Sequence, residues 1–220
     1  MARTTIRTDD ITATGTASSS TYLRGDGVWG EVASGGIESV QTFTSSGTWT
    51  RPTGITKVRV FVTGAGGGGK SVTGNFGGGG GGGTAIKLLD VSSISSATIT
   101  IGSGGSATND GGDSTWSDGT NTITGNGGRG ATSSTGNGGS GGSASGGDIN
   151  HEGGFGSYYT AGMGGGSSFW GAYGHSNGYD GSNYTAGNTP TIPGNGTLGW
   201  YSSITPPTAS DGFIYVEEYK

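Results

Sequence analysis

The stretch KVRVFVTGAGGGGKSVTGNFGGGGGGGTAIKLLD, residues 57–90, decides the fold. At its start Val58, Val60 and Val62 alternate with Arg59, Phe61 and Thr63, the two-residue period of a half-buried strand. At its end TAIKLLD (84–90) reads as a second strand. Between them stand a glycine-rich segment from Gly64 to Lys70 and the unbroken run Gly77–Gly83. Glycine loses more backbone entropy on ordering than any other residue, so an isolated run stays mobile. Without Cβ, however, backbones can approach one another closely. Polyproline-II-type turns repeat every three residues and leave each N–H and C=O free to bond sideways. Neighbouring glycine helices can then satisfy one another, with Cα–H···O contacts as a minor addition. The pattern predicts an ordered slab without an oily core; disorder is the competing reading.

Outward from this stretch lie further strand-like islands: SVQTFT (39–44), ATITI (97–101) and FIYVEEY (213–219). A disordered tail needs no closing apolar strand, so the islands favour a fold. In TWTRPTGIT (48–56), Pro52 and Gly54 flank Thr53, a turn signal that predicts a hairpin or meander joining residues 39–44 to 57–63. The expected class is all-β, a small antiparallel β-sandwich base with glycine-rich polyproline-II-type helices stacked in a slab and little or no α-helix. Residues 1–36, rich in Thr, Ser and Ala, read as an N-terminal attachment arm, and 37–220 as the glycine-rich domain.

Composition narrows the class further. The 220 residues include 54 glycines and 5 prolines, a proportion at which aperiodic chains are usually disordered. Ordinary disorder also needs high net charge, whereas here 11% of residues are charged and the net is −5. Glycine at this density excludes long helices, and its lack of a strict three-residue repeat excludes collagen. Cysteine is absent, which removes disulfides and thiolate metal sites. The opening MARTTIRTDD has no apolar run of signal-peptide type, and no segment reaches the length of a membrane span. The acidic balance argues against a nucleic-acid partner. A soluble, non-secretory protein is expected.

Several patterns imitate catalytic or metal-binding chemistry. Gly64–Ser71 matches the phosphate-loop pattern G-x-x-x-x-G-K-[ST] and follows a predicted strand. That mechanism needs a helix starting at the Lys-Ser pair, and Val72-Thr73-Gly74 followed by more glycine cannot supply one. His151-Glu152 lacks the second histidine of a zinc-protease helix, and no G-x-S-x-G elbow accompanies either histidine. Asp110, Asp113 and Asp118 could gather round calcium, but without EF-hand spacing turn chemistry is the better reading. The sequence reads as a non-enzyme with no cofactor and no metal.

Half of the chain's aromatic residues fall in residues 151–201, set among Gly, Ser and Asn. Tyr and Trp in such surroundings resemble a paratope, where rigid rings give contact area and small polar residues adapt. The plainer reading makes the same rings a local core. From Asp90 to Asp211, eight acids counting both ends face one base, Arg129, so the surface there is mildly acidic and polar.

Two segments carry a family resemblance. ITATGTASSSTYLRGDGVWGEV (11–32), with its core at Thr21–Trp29, resembles a segment common in bacteriophage tail fibres. FTSSGTWTRPTGITKVRVFVTGAGGGG (43–69), then Gly77–Leu89, ATITIGSGG (97–105) and DGFIYVEEY (211–219), is similar to the glycine-rich domain of phage fibres and adhesins. The resemblance implies a β-sandwich with polyglycine-II helices, like the tip adhesins of T-even-like phages, with specificity loops at the far end. It implies a virion protein that recognises a host glycan or outer-membrane protein, the alternative being a capsid- or tail-decorating protein. Receptor contact is expected from Tyr158, Tyr159, Phe169, Trp170, Tyr173, Tyr179, Tyr184, Trp200 and Tyr201. Tyr22, Leu23, Arg24, Gly25, Asp26 and Trp29 form the expected attachment motif, joining other phage fibre or virion proteins. Tail fibres usually place this motif after a long shaft, whereas this sequence starts almost at it, so a separate protein is expected to supply the shaft. A homotrimer is implied, with no nucleic acid and no membrane insertion.

Overall fold

The computed structural model describes residues 14–16, 18–19, 21–31, 35–70, 77–132, 137–157, 164–171, 191–199 and 207–220. The chain divides into two compact units, Met1–Gly36 and Ile37–Lys220. Among the described residues there is no α-helix.

The first unit holds an antiparallel hairpin of β1 (Thr21–Leu23) and β2 (Trp29–Glu31), with Leu23 opposite Trp29. Its loop closes through Arg24 N–H to the Val28 carbonyl at 2.9 Å and Gly27 N–H to the Arg24 carbonyl at 3.0 Å. Asp26 accepts the Val28 N–H at 3.2 Å and pairs with the Arg24 guanidinium at 3.1 Å. Gly27 sits at φ +77°, where an L side chain would be strained. The Arg-Gly-Asp triplet therefore works here as turn chemistry.

The second unit is a sandwich of two five-stranded antiparallel sheets. Its strands are β3 (Ser39–Phe43), β4 (Gly47–Thr50), β5 (Lys57–Thr63), β6 (Thr84–Asp90), β7 (Ser96–Thr100) and β8 (Ser114–Ser117). They continue with β9 (Thr122–Gly125), β10 (Ala144–Ser145), β11 (Ile149–His151) and β12 (Phe213–Tyr219). One sheet runs β11-β6-β5-β12-β3, the other β10-β9-β8-β7-β4. Val58, Val60 and Val62 point inward from β5 and are fully buried, each worth about 1.5–3 kcal/mol by its burial. Ile214 and Val216 from β12 join them, and Trp49, Ile99, Trp116 and Ile123 close the core from the opposite sheet. Trp49 and Trp116 pack with ring centroids 5.0 Å apart.

The expected hairpin between residues 39–44 and 57–63 does not form. β12 lies between β3 and β5, and β4 crosses to the other sheet to pair with β7. The reason is inward apolar surface: Trp49 on β4 needs Trp116 beside it, and the alternating face of β12 fills the gap left between β3 and β5.

Where β5 ends and β6 begins, the chain becomes the glycine slab. Gly64, Gly67 and Lys70 donate to the carbonyls of Gly83, Gly80 and Gly77 at 2.9, 2.8 and 2.9 Å, one bond every third residue. Residues in between turn to other partners, as a three-residue helical repeat requires. Gly80 and Gly83 donate to Arg129 and Asn126, Gly79 and Gly82 to Thr197 and Gly194, and Gly78 and Gly81 to Ser157 and Gly154. The same tract accepts from Gly67, from Gly139 and Gly142, and from Gly166. Residues 77–83 are thus a helix surrounded by six hydrogen-bonded neighbours. A methyl added at Gly79, Gly80 or Gly82 would overlap the carbonyl oxygen of Gly67, Ser140 or Gly64. Glycine is required here by proximity, and order comes from lateral bonds.

Candidate functional site

The slab carries turns at its surface, and one of them presents two of the aromatic residues singled out above. Ser168 and Gly171 form an isolated antiparallel bridge, with Phe169 and Trp170 at the turn. Its position is fixed from below. Asn195 Oδ1 accepts the Ser168 N–H at 2.7 Å, and Ser168 Oγ donates to the Pro193 carbonyl at 2.6 Å. The Trp170 indole N–H donates to Thr63 Oγ1 at 2.8 Å, and Thr63 in turn bonds Thr84 across the strands at 2.8 Å.

The two rings play different parts. Trp170 packs edge-on against Phe213 at 5.4 Å and Tyr215 at 5.9 Å, and stands 5.8 Å from Phe61. It anchors the turn to the outer face of the β5–β12 pair. Phe169 lies perpendicular to Trp170 at 5.4 Å and meets the edge of His151 at 6.0 Å. It remains 41% exposed. Trp170 is accordingly held in packing against the sheet. The other expected contact residues, Tyr158, Tyr159, Tyr173, Tyr179, Tyr184, Trp200 and Tyr201, lie outside the described residues.

Phe61, Phe213 and Tyr215 complete this aromatic ledge and were not expected as site residues. Their signal was available, since Phe61 and Tyr215 occupy outward positions of predicted strands and pair directly across them. The Arg59 guanidinium sits 5.5 Å from the Phe61 ring and binds the Glu217 carboxylate at 2.5 Å. The expected attachment residues Tyr22, Leu23, Arg24, Gly25, Asp26 and Trp29 all belong to the β1–β2 hairpin and its loop, with Tyr22 and Leu23 exposed.

Among the described residues of the phosphate-loop match, Gly64 to Lys70, no backbone donor is free. Each N–H from Gly64 to Gly68 and that of Lys70 bonds a carbonyl, and that of Gly69 bonds Thr197 Oγ1 at 2.5 Å. The acids set aside as turn formers also have structural work. Asp110 accepts the Gly130 N–H at 2.9 Å and the Arg129 guanidinium at 2.6 Å, while Asp113 accepts the Gly127 N–H at 2.9 Å. Asp211 accepts the Gly104 N–H at 2.8 Å. These carboxylates accept glycine N–H groups in the place that a backbone carbonyl takes elsewhere in the lattice. Among the described residues no three His, Cys, Asp or Glu side chains gather to hold a metal.

Burial alone would raise the Asp110 carboxyl, but the Gly130 N–H and Arg129 outweigh it and hold the group below its ordinary range. Asp118 is lowered in the same sense: burial raises it, and the Asn121 and Thr120 N–H groups more than compensate. A depressed carboxylate stabilises the fold above its unfolded pKa, and that contribution fades as pH falls through the folded value. Amide exchange at Gly130 is therefore expected to quicken, relative to Gly80, as pH drops below about 4. A constant ratio down to about pH 2 would show that Asp110 does not cap this edge.

A β-sandwich whose connections form a hydrogen-bonded glycine lattice defines a glycine-rich structural domain. The chain belongs to the glycine-rich domain family, whose family model matches residues 38–212. A search of curated proteins finds no match to the chain.

Proposed function

We propose that this protein is a receptor-binding protein of a phage virion, the tip adhesin of a tail fibre, which contacts a host surface glycan or outer-membrane protein through aromatic loops. The observation that carries the reading is the glycine lattice. A helix bonded to six neighbours makes a stiff platform without an extended apolar core, and surface turns such as Ser168–Gly171 are pinned to it by side-chain bonds. Pre-positioned rings bind at lower entropic cost than mobile ones. The composition of residues 151–201 supports a contact role, with rigid Tyr and Trp among small polar residues. The β1–β2 hairpin, which carries the fibre-like motif, is the proposed attachment to other fibre or virion proteins.

A second reading, a virion-decorating protein without a specific receptor, draws on one observation: Trp170 is occupied in packing. Competition separates the two. Purified chain added to host cells is expected to block adsorption of the phage that carries it, and the double variant Phe169→Ala/Tyr179→Ala to block at least about tenfold less well, a loss of roughly 1.4 kcal/mol. Absence of any block by the unaltered chain would favour decoration.

A further inference from the structure

In the tract 126–131, Asn126, Gly128, Arg129 and Ala131 donate to backbone carbonyls, but Gly127 and Gly130 donate to the carboxylates of Asp113 and Asp110. A three-residue helical repeat puts these two side-chain bonds on one side of the tract. Asp110, Asp113 and Gly127 line a groove there, together with Asn126, Arg129 and Ser143. Its volume of about 450 Å³ lies within the roughly 300–1,000 Å³ of small-molecule sites. Glycine backbone makes up the rest of the lining, so almost no carbon side chain faces an occupant. The polar groups are held in place with capacity left over. Asp113 Oδ1 accepts the Gly127 N–H at 2.9 Å, which leaves Oδ2 to accept again. Arg129 commits one N–H to Asp110 at 2.6 Å and keeps its other donors. The Asn126 amide and the Ser143 hydroxyl make no side-chain bond among the described residues.

We infer that this groove is a binding site for a neutral saccharide, separate from the Ser168–Gly171 turn, with which it shares no residue. The lining selects this class by elimination and by fit. Two carboxylates against one guanidinium leave the groove net negative, which disfavours phosphate, sulfate or an acidic sugar. An apolar ligand has little to bury against. Backbone addition of a peptide lacks its donors, because the Gly127 and Gly130 N–H groups are already taken. A sugar hydroxyl both donates and accepts. It can give its proton to Asp113 Oδ2 while receiving one from Arg129 or Asn126. Bonds with one charged partner are the stronger kind, and here the charged groups are oriented before the ligand arrives.

NMR titration of the full chain tests this, with the methyl glycosides of glucose, galactose and mannose as neutral probes and N-acetylneuraminic acid as the acidic one. At least one neutral glycoside is expected to shift the amides of Gly127, Gly141 and Gly142 saturably, and the acidic sugar to leave them unmoved. Asp113→Asn keeps an acceptor for the Gly127 N–H and should weaken binding about tenfold, the loss of a hydrogen bond to a charged group. Asn126→Ala removes a side chain that has no bond to lose, so it should fold and bind several-fold more weakly. Unchanged far-ultraviolet circular dichroism checks the fold of both. Shifts confined to Ser168–Gly171 would overturn the inference while leaving the aromatic-loop reading intact. Failure of every neutral glycoside to give a saturable shift would also overturn it, as would tighter binding of the acidic sugar or undiminished binding by both variants.

Discussion

Gly80→Ala is expected to destabilise the domain by more than about 3 kcal/mol, beyond the usual range for an added methyl in a packed interior. Gly80 donates to the Arg129 carbonyl at 2.8 Å and accepts from the Gly67 N–H at 2.8 Å. An added Cβ would overlap the Ser140 carbonyl oxygen. Relief requires moving residues 138–142, which are themselves bonded to residues 78 and 81 and to Gly153 and Gly156. The strain therefore spreads through the lattice instead of staying local. Ala65 shows that the lattice admits a methyl where room exists, so the effect belongs to position and not to composition. Gly47→Ala is the matched control: nothing lies within 4 Å of its added Cβ. That substitution is expected to be neutral or to stabilise by about 0.5 kcal/mol, through reduced freedom of the unfolded chain. Urea unfolding of both variants checks the pair, and equal midpoints would refute the crowding argument. A loss of this size is a large share of the roughly 5–15 kcal/mol that holds an ordinary domain together.

The second large effect concerns a charge inside the sandwich. Glu218 is fully buried, on the inward face of β12. Its Oε1 accepts the Trp49 indole N–H at 2.8 Å and the Gln41 amide at 2.7 Å, and Oε2 accepts the Ser39 hydroxyl. Trp49 belongs to the opposite sheet, so this carboxylate ties the two layers together. Hydrogen bonds to a charged group are worth about 1.5–3 kcal/mol each, and removing the acceptor leaves buried donors unsatisfied. Glu218→Ala is expected to cost at least about 3 kcal/mol, the sum being less than additive because the donors share one site. Trp49→Phe removes one donor and keeps most of the ring, and should cost about half as much. Urea unfolding measures both, followed by far-ultraviolet circular dichroism. A loss below about 0.5 kcal/mol for Glu218→Ala, the level of an ordinary surface change, would show that the network contributes nothing net.

The strands with apolar alternation were legible in the sequence. β3, β5, β6, β7 and β12 coincide with the predicted islands to within a residue at either end. β8 to β11 were not, because STWS, TITG, AS and INH contain few apolar residues and alternate them with hydroxyls. The route of β4 was hidden too, since a turn signal at Pro52 and Gly54 says that the chain reverses but not which sheet it enters. For the slab, glycine content announced close backbone approach, and the three-residue repeat follows from polyproline-II geometry. Which tract meets which is set by contacts remote in sequence, such as Gly80 to Arg129, and no local pattern encodes them. At the candidate site, Phe169 and Trp170 stood out by composition, yet their division into exposed and packed rings depends on Phe61, Phe213 and Tyr215 from distant strands.

Hydrogen exchange of individual glycine amides, read by NMR, bears most directly on the lattice. Gly79 to Gly83 should exchange as slowly as Val60 in the centre of β5, by global unfolding alone. Exchange of those five amides at the rate of an unstructured peptide, while Val60 stays protected, would contradict the account.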